Sequence, residues 1–433
     1  MYLGFFSWLI YKTSWFHIDG LNPKLVVGAF WLKLLFGFLF WTVYNYHYPV
    51  SHDSDAFAYF EEAKILNSVF YENPGDFFRL MFSTNPSSPD LLEYTREMDR
   101  WNRAVSYGVL NDNPTIIKFN AIVLFFSLGF YHTHTIFMAF VCFSGLLLIF
   151  RFLEKMTDQI PKLFLLAALM LPPSLLFWSG GVLKEGLLIF GLGLLFYSLT
   201  LLREKNFIKG FVLIIAALFL LLFTKTYVLI AFAPGLIFLV LTLLMGNRGI
   251  WWKFAGIHVL LFAIVFTLGY WVNDYDVLAM FQQKQQDFYN IGDQSEIGSL
   301  IEIPPIRNTF DLILNAPTAL FNTYFRPHLL EAHNVTFLAA AIENLFYGVL
   351  LLTAILRFNR PSRENAIMAL TSLSFILGLG LLVGLITPVL GAVVRYKIPA
   401  LPFLVVFCFL IMQPTLTSVN LFLKKHFKQL FIP

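Results

Sequence analysis

Charge is scarce in this chain: only 13% of its 433 residues are Asp, Glu, Lys or Arg, about half of what a water-soluble domain carries. That shortage excludes a soluble enzyme, a disordered tail and a nucleic-acid binder. Cysteine is scarcer still. Cys142 and Cys408 are the only two, both inside apolar runs, so neither a disulfide framework nor a cysteine metal site is on offer. The net charge of +4 says nothing about partners. Internal repeats, low-complexity segments and the inverted repeats of many transporters are also missing. What abounds is apolar surface, with 58% hydrophobic residues, 50 of them Phe, and a mean hydropathy of +0.71. Since a membrane-spanning helix needs roughly 20 apolar residues, the composition predicts an all-α polytopic membrane protein, a single integral domain over 1–433.

Apolar runs long enough to span lie at about 25–46, 133–152, 162–178, 186–202, 209–224, 227–246, 254–272, 335–356, 364–386 and 397–413, giving ten expected crossings. Alternating their connections puts Lys12 and Lys24, Arg151/Lys155/Lys162, Arg203/Lys205/Lys209, Arg248/Lys253, Arg357/Arg360/Arg363 and Lys424/Lys425/Lys428 on one side, 16 of the 30 Lys and Arg residues. The positive-inside rule makes that side, and with it both termini, cytoplasmic. Tyr2–Phe16 is aromatic, carries Lys12 and has no small-residue cleavage site after it, so it reads as an interfacial helix rather than a signal peptide. The stretch from Thr115 to Phe130 would invert every later cation if it crossed. It is expected to lie on the outer surface or dip in partway, with Pro114 at its first turn. Two outer (periplasmic) loops remain, 47–118 and 273–334. The first holds 11 acidic against 6 basic residues, with Phe77/Phe78 and Leu91/Leu92 at helical spacing, which predicts short membrane-parallel helices. Beyond the last run only a short tail follows, so recognition of any acceptor is expected to fall to the two loops.

Polar residues collect at the outer helix ends: His52-Asp53-Ser54-Asp55, Trp178-Ser179-Gly180-Gly181 with Lys184-Glu185, Thr224-Lys225-Thr226-Tyr227, and Arg395-Tyr396-Lys397. Charge near a bilayer costs on the order of 2.5 to 3.5 kcal/mol per residue at a helix centre and so needs a reason. A carboxylate beside hydrocarbon is desolvated enough to accept a proton from a hydroxyl. Asp53 and Asp55 at i and i+2 could alternatively hold a divalent cation with waters, or simply cap the helix that begins near Ala56 and includes Tyr59. Lys184, Lys225, Arg326, Arg395 and Lys397 suit a lipid-linked phosphate at headgroup depth. Against that, each could snorkel to lipid phosphates or pair locally, as Lys184 with Glu185. Glu343 lies roughly 12 Å into its helix at 1.5 Å per residue, an intramembrane carboxylate and hence a functional candidate, or one satisfied by a neighbouring hydroxyl or lysine. Lys33 is expected to snorkel toward the cytoplasm. His132, His134, His328 and His333 have no metal-ligand frame, so zinc is not expected.

An acidic motif opening the first outer loop after the first helix, as His52-Asp53-Ser54-Asp55 does, resembles the GT-C superfamily of polyprenyl-phosphate-dependent glycosyltransferases. The segment from Pro173 to Glu185, Phe325-Arg326-Pro327 with Glu343-Asn344, and Arg395-Tyr396 in the ending Gly391 to Pro399 are similar to segments of bacterial surface-polysaccharide membrane proteins, polymerases among them. Better-defined members carry adjacent acids or a second acidic motif, whereas this chain has Asp-x-Asp, which leaves metal dependence and the identity of the base open. The resemblance implies a GT-C-like fold in a bacterial inner membrane, its active face outside. It also implies transfer of a sugar or oligosaccharide from a polyprenyl (pyro)phosphate donor to a glycan or lipid acceptor. Asp53 or Asp55 would be the base, with His52, Tyr59 and Glu343 beside the cations in substrate binding. No nucleic acid and no nucleotide-sugar donor are expected. Two rival readings need no sugar transfer: a flippase or transporter for lipid-linked oligosaccharides, and a non-catalytic scaffold whose loops hold a partner.

Overall fold

The computed structural model describes residues 1–46, 54–82, 89–103, 111–157, 160–267, 276–294 and 299–431. Among these no β-strand occurs, only isolated bridges pairing Leu21 with Phe431 and Leu300 with Val389. Twenty α-helices follow one another: α1 (Tyr2–Lys12), α2 (Pro23–Tyr46), α3 (Asp55–Glu72), α4 (Pro74–Phe82), α5 (Leu92–Thr95), α6 (Asn113–Ser127), α7 (Tyr131–Met156), α8 (Lys162–Met170), α9 (Pro173–Gly180), α10 (Lys184–Arg203), α11 (Phe207–Met245), α12 (Ile250–Thr267), α13 (Val277–Gln294), α14 (Thr309–Leu314), α15 (Ala316–Phe325), α16 (Val335–Leu356), α17 (Arg363–Ile386), α18 (Leu390–Tyr396), α19 (Leu401–Ile411) and α20 (Gln413–His426). The chain is an all-α polytopic membrane protein.

Among the described residues seven helices are long and apolar enough to span: α2, α7, α10, α11, α12, α16 and α17. The count reaches nine if the bent pairs α8–α9, at 53°, and α18–α19, at 61°, each make one crossing. The ten apolar runs read from sequence all fall on these elements, two of them on α11. The expected runs 209–224 and 227–246 are the two helices that α11 joins at a kink, at Lys225, whose backbone leaves the helical region (φ −154°, ψ 78°). Helix α6 does form where the Thr115 to Phe130 stretch was expected. Its 15 residues leave it outside the set long enough to span.

The chain divides into two compact units, one of residues 1–155, 175–226 and 426–433, the other of 156–174 and 227–425. In the first, α3 buries Ala56, Tyr59, Phe60, Ala63, Leu66 and Val69, the i, i+3, i+4 spacing of a helix with one apolar face. That face meets Ile116, Ile117 and Ala121 of α6, Phe77 and Leu80 of α4, and the fully buried Met98 and Trp101. The expected helices of the first long loop are thus present, and they pack on one another around a core. Buried Glu62 holds the loop behind them by accepting hydrogen bonds from the backbone N–H groups of Arg100 at 2.7 Å and Trp101 at 3.0 Å. Helix α6 is tied to α7 through His134, whose ring nitrogens bond Asn120 Oδ1 at 2.8 Å and Ser127 Oγ at 2.9 Å. Helices α7 and α10 touch backbone to backbone. A Cβ on Gly193 would stand 2.3 Å from the Gly145 carbonyl oxygen, so only glycine permits the approach.

The second unit is built on α17, which is buried along most of its length and packs against α15 and α19. Gly384 lets α17 lie directly on α15: a Cβ there would meet the Ala319 carbonyl oxygen at 2.0 Å. The second long loop contains α13, α14 and α15. Helix α14 starts with a capping box in which Asn308 and Asp311 satisfy each other's backbone donors.

Candidate functional site

In the first unit, the first residues of three helices, Asp55 of α3, Asn113 of α6 and Lys184 of α10, belong to one polar cluster. Helix α6 begins after the polar run Asn111-Asp112-Asn113-Pro114, and Asn111 and Asn113 both anchor it by donating to the Arg100 carbonyl, at 3.3 and 3.0 Å. Asn113 Oδ1 in turn accepts from Tyr59 Oη at 2.8 Å and from Lys184 Nζ at 2.8 Å. Lys184 Nζ also reaches Asp112 Oδ1 at 2.6 Å, and lies 5.6 Å from the centre of the Tyr59 ring. The other carboxylate oxygen, Oδ2, faces Lys225 Nζ at 3.8 Å. Arg100, on the same loop, meets Asp55 at 3.4 Å.

Two ammonium groups therefore converge on a single carboxylate. Burial by itself would raise the pKa of Asp112, but the nearby charges of Lys225 and Lys184 outweigh it and hold the carboxyl below its usual range. The cluster combines cations, a carboxylate, an amide and a phenol ring. Such a set can bind an oxyanion and hold it still, because the lysines come from packed helices and not from loose tails. Lys225 owes its place to the break in α11, which takes its backbone out of the helix.

The second unit holds a different group. Lys397 is buried and donates to Asn344 Oδ1 at 2.7 Å and to the Thr323 carbonyl at 3.0 Å, while Asn344 donates to the Pro327 carbonyl at 2.9 Å. Glu343 accepts from the Ser174 backbone N–H at 3.0 Å, from the Ser174 hydroxyl, and from Tyr347 Oη at 2.7 Å. Arg326 is engaged by Glu331 through Nε at 2.7 Å. Burial of Glu331 opposes its ionisation, yet the Arg326 guanidinium and the His328 backbone donor bring its pKa down. Tyr396 packs its ring against Tyr227 at 5.8 Å and Phe288 at 6.2 Å, which places the neighbouring Arg395 on the same short helix.

Of the residues expected from sequence, Asp55, Tyr59, Lys184 and Lys225 are gathered in the first unit, and Arg326, Glu343, Arg395 and Lys397 belong to the second. His52 and Asp53 lie outside the described residues, and with them the Asp-x-Asp cation site. Among the described residues no group of three or more His, Cys, Asp or Glu could hold a metal ion. Lys184 pairs with Asp112, and Asp55 follows the helix cap Ser54 as the first residue of α3. Lys33 does not snorkel. Its side chain is 1% exposed and donates to the Leu175 carbonyl at 3.1 Å, the Leu176 carbonyl at 3.2 Å and the Ser179 hydroxyl. Sequence reading missed Asp112, Asn113 and Arg100. The signal available was the polar run before Pro114, which marks a helix start but gives no hint of a lysine partner 72 residues away. Comparison with known protein families, with curated proteins and with solved structures finds no match to this chain.

Proposed function

We propose that this protein transfers a sugar, or a block of sugars, from a polyprenyl phosphate or pyrophosphate to a glycan or lipid acceptor at the outer face of a bacterial cytoplasmic membrane. The observation that carries the reading is the convergence of Lys184 and Lys225, from two apolar helices, on one spot at the helix ends of the first unit. A departing phosphate gains negative charge as the glycosidic bond breaks, and fixed ammonium groups stabilise that charge more than they stabilise the intact donor. Asp55, partly exposed beside Arg100, or Asp53 just before it, would take the proton of the acceptor hydroxyl. Apolar helix faces would accommodate the isoprenoid chain.

Reconstitution in proteoliposomes with a labelled sugar on a lipid-linked donor tests this. Lys184→Met and Lys225→Met are each expected to lower kcat/KM by about 10²- to 10³-fold, the size of effect seen when one preorganised charge-stabilising donor is removed. An Asp53→Asn, Asp55→Asn double variant with unchanged transfer would remove both proposed bases. A second reading, movement of a lipid-linked glycan across the bilayer, is favoured by the buried Lys33, Glu343 and Lys397, since intramembrane ionisable groups mark transport paths. Flipping of a fluorescent lipid-linked glycan that Glu343→Gln abolishes, in the absence of any sugar transfer, would support that reading over the first.

A further inference from the structure

We propose that Thr115 is a positioning residue for Lys225: its hydroxyl reaches from α6 into the backbone of α11 and holds the break that aims the lysine at the cluster. The proposal rests on the reading of Lys225 as a group that stabilises a departing phosphate. Thr115 Oγ1 donates to the Phe223 carbonyl, 108 residues further along the chain. In an unbroken α-helix that carbonyl accepts from the backbone N–H four residues on. Such a bond would run across Lys225, where the backbone leaves the helical region (φ −154°, ψ 78°). Sharp kinks arise at proline, at glycine or serine pairs, at π-bulges, or where a side chain inserts into the ladder. Pro234 of α11 lies beyond the break, and the carbonyl its ring crowds is that of Ile230. Gly235 lies further on still, and α11 contains neither a serine nor a π turn. Insertion of the Thr115 hydroxyl is the cause that remains.

Threonines of α11 itself prepare the same turn. Thr224 Oγ1 donates to the Leu220 carbonyl at 2.7 Å and Thr226 Oγ1 to the Leu222 carbonyl at 2.9 Å, the back-bonding that bends helices. Thr115 adds a tie to a second helix. On α6 it stands one turn after Asp112, at the i, i+3 spacing that puts two side chains on one face. Asp112 meets the Lys225 ammonium at 3.8 Å, so α6 engages α11 both at the side chain of Lys225 and at the backbone just before it. Asn113, between them in sequence, accepts from Lys184 at 2.8 Å. The start of α6 thus fixes both lysines, and Thr115 sets the direction in which Lys225 leaves α11.

The test is a double-mutant cycle in the full-length protein, reconstituted with a labelled sugar on a lipid-linked donor. The acetylation rate of Lys225 at fixed pH, read by mass spectrometry, is a second readout. Thr115→Val keeps the side-chain shape and removes the donor. It should lower kcat by about 10- to 100-fold with little change in KM, the cost of a small misplacement of a group acting on the transition state. Thr115→Ser keeps the hydroxyl and should restore transfer to near the parent rate. In a Lys225→Met background Thr115→Val should cost less than about twofold more, because the group it misplaces is already gone. A hydrogen bond that only held the fold would instead lower transfer by the same factor in both backgrounds. Acetylation of Lys225 should speed up in Thr115→Val and keep the parent rate in Thr115→Ser. Thr115→Ala reports the same loss should the valine variant not fold. If Lys225→Met slows transfer, then a parent-like kcat in Thr115→Val, or a loss that multiplies in full with that of Lys225→Met, overturns the proposal. Full transfer by Lys225→Met, or no transfer from any lipid-linked donor, overturns the phosphate reading instead. The acetylation rates then decide for Thr115 alone, and an unchanged rate in Thr115→Val overturns its positioning role.

Discussion

Lys118 sits beside the Trp101 ring, 5.4 Å from its centre, and burial pushes its amine down to about 8. Between about 8 and its ordinary 10.5 the unfolded chain binds more protons than the folded one, so stability is expected to rise with pH across that window. Pulsed acetylation read by mass spectrometry should give Lys118 a midpoint near pH 8. A midpoint near 10 would remove the burial account. Asp112 works in the opposite sense. Its folded pKa is depressed, so the stability it supplies is present above the unfolded carboxyl value and is lost as pH falls through the folded value. Asp112→Asn should flatten that acid limb of the unfolding curve in detergent and, by leaving two buried ammonium groups facing each other, lower stability near neutrality. Lys33 offers a simpler case. Lys33→Met removes three hydrogen bonds made by a buried amine and should cost about 1 to 3 kcal/mol, measured as a fall in thermal unfolding temperature.

At the scale of elements, the place of α10 decides where Lys184 points, and α10 is seated by its glycine contact with α7. Gly193→Val would drive a side chain into the Gly145 backbone, where the nearest atom is already 2.3 Å from a Cβ. Overpacking of this kind costs typically 1 to 3 kcal/mol. Because the strain falls on the helix that carries Lys184, sugar transfer should drop as well as stability. Gly256 of α12, which has open space around its Cβ position, is the matching control: Gly256→Ala should leave both nearly unchanged. Retained transfer in a destabilised Gly193→Val protein would show that the seat of α10 matters for folding alone.

For the whole molecule, sidedness turns on the kink in α11. If its two halves cross separately, positions 205 and 248 lie on the same face of the membrane; if it crosses once, they lie on opposite faces. The cation distribution predicts the same, cytoplasmic face. Single cysteines at those positions, labelled in spheroplasts with an impermeant maleimide, are expected to react only after permeabilisation. Cys142 and Cys408 are buried and will not confuse the readout. Labelling of one position from outside would invert every later connection and place the second long loop in the cytoplasm.

Composition and hydropathy determined the membrane class, the positions of α2, α7, α10, α16 and α17 within a few residues, and the oddity of Asp55, Tyr59, Lys184 and Lys225, because the cost of putting a polar group into hydrocarbon is local and can be read along the chain. They could not determine partners. These helices are apolar nearly all round, so no stripe announces which face is buried. The choice is made by close contacts such as Gly145 with Gly193, which sequence spacing does not encode. Only the packed structure turned Lys33 inward, took the backbone of Lys225 out of the helix, and set Asp112 between two lysines. Each of these outcomes depends on where distant backbones meet, and the energy of that meeting belongs to no single stretch of chain.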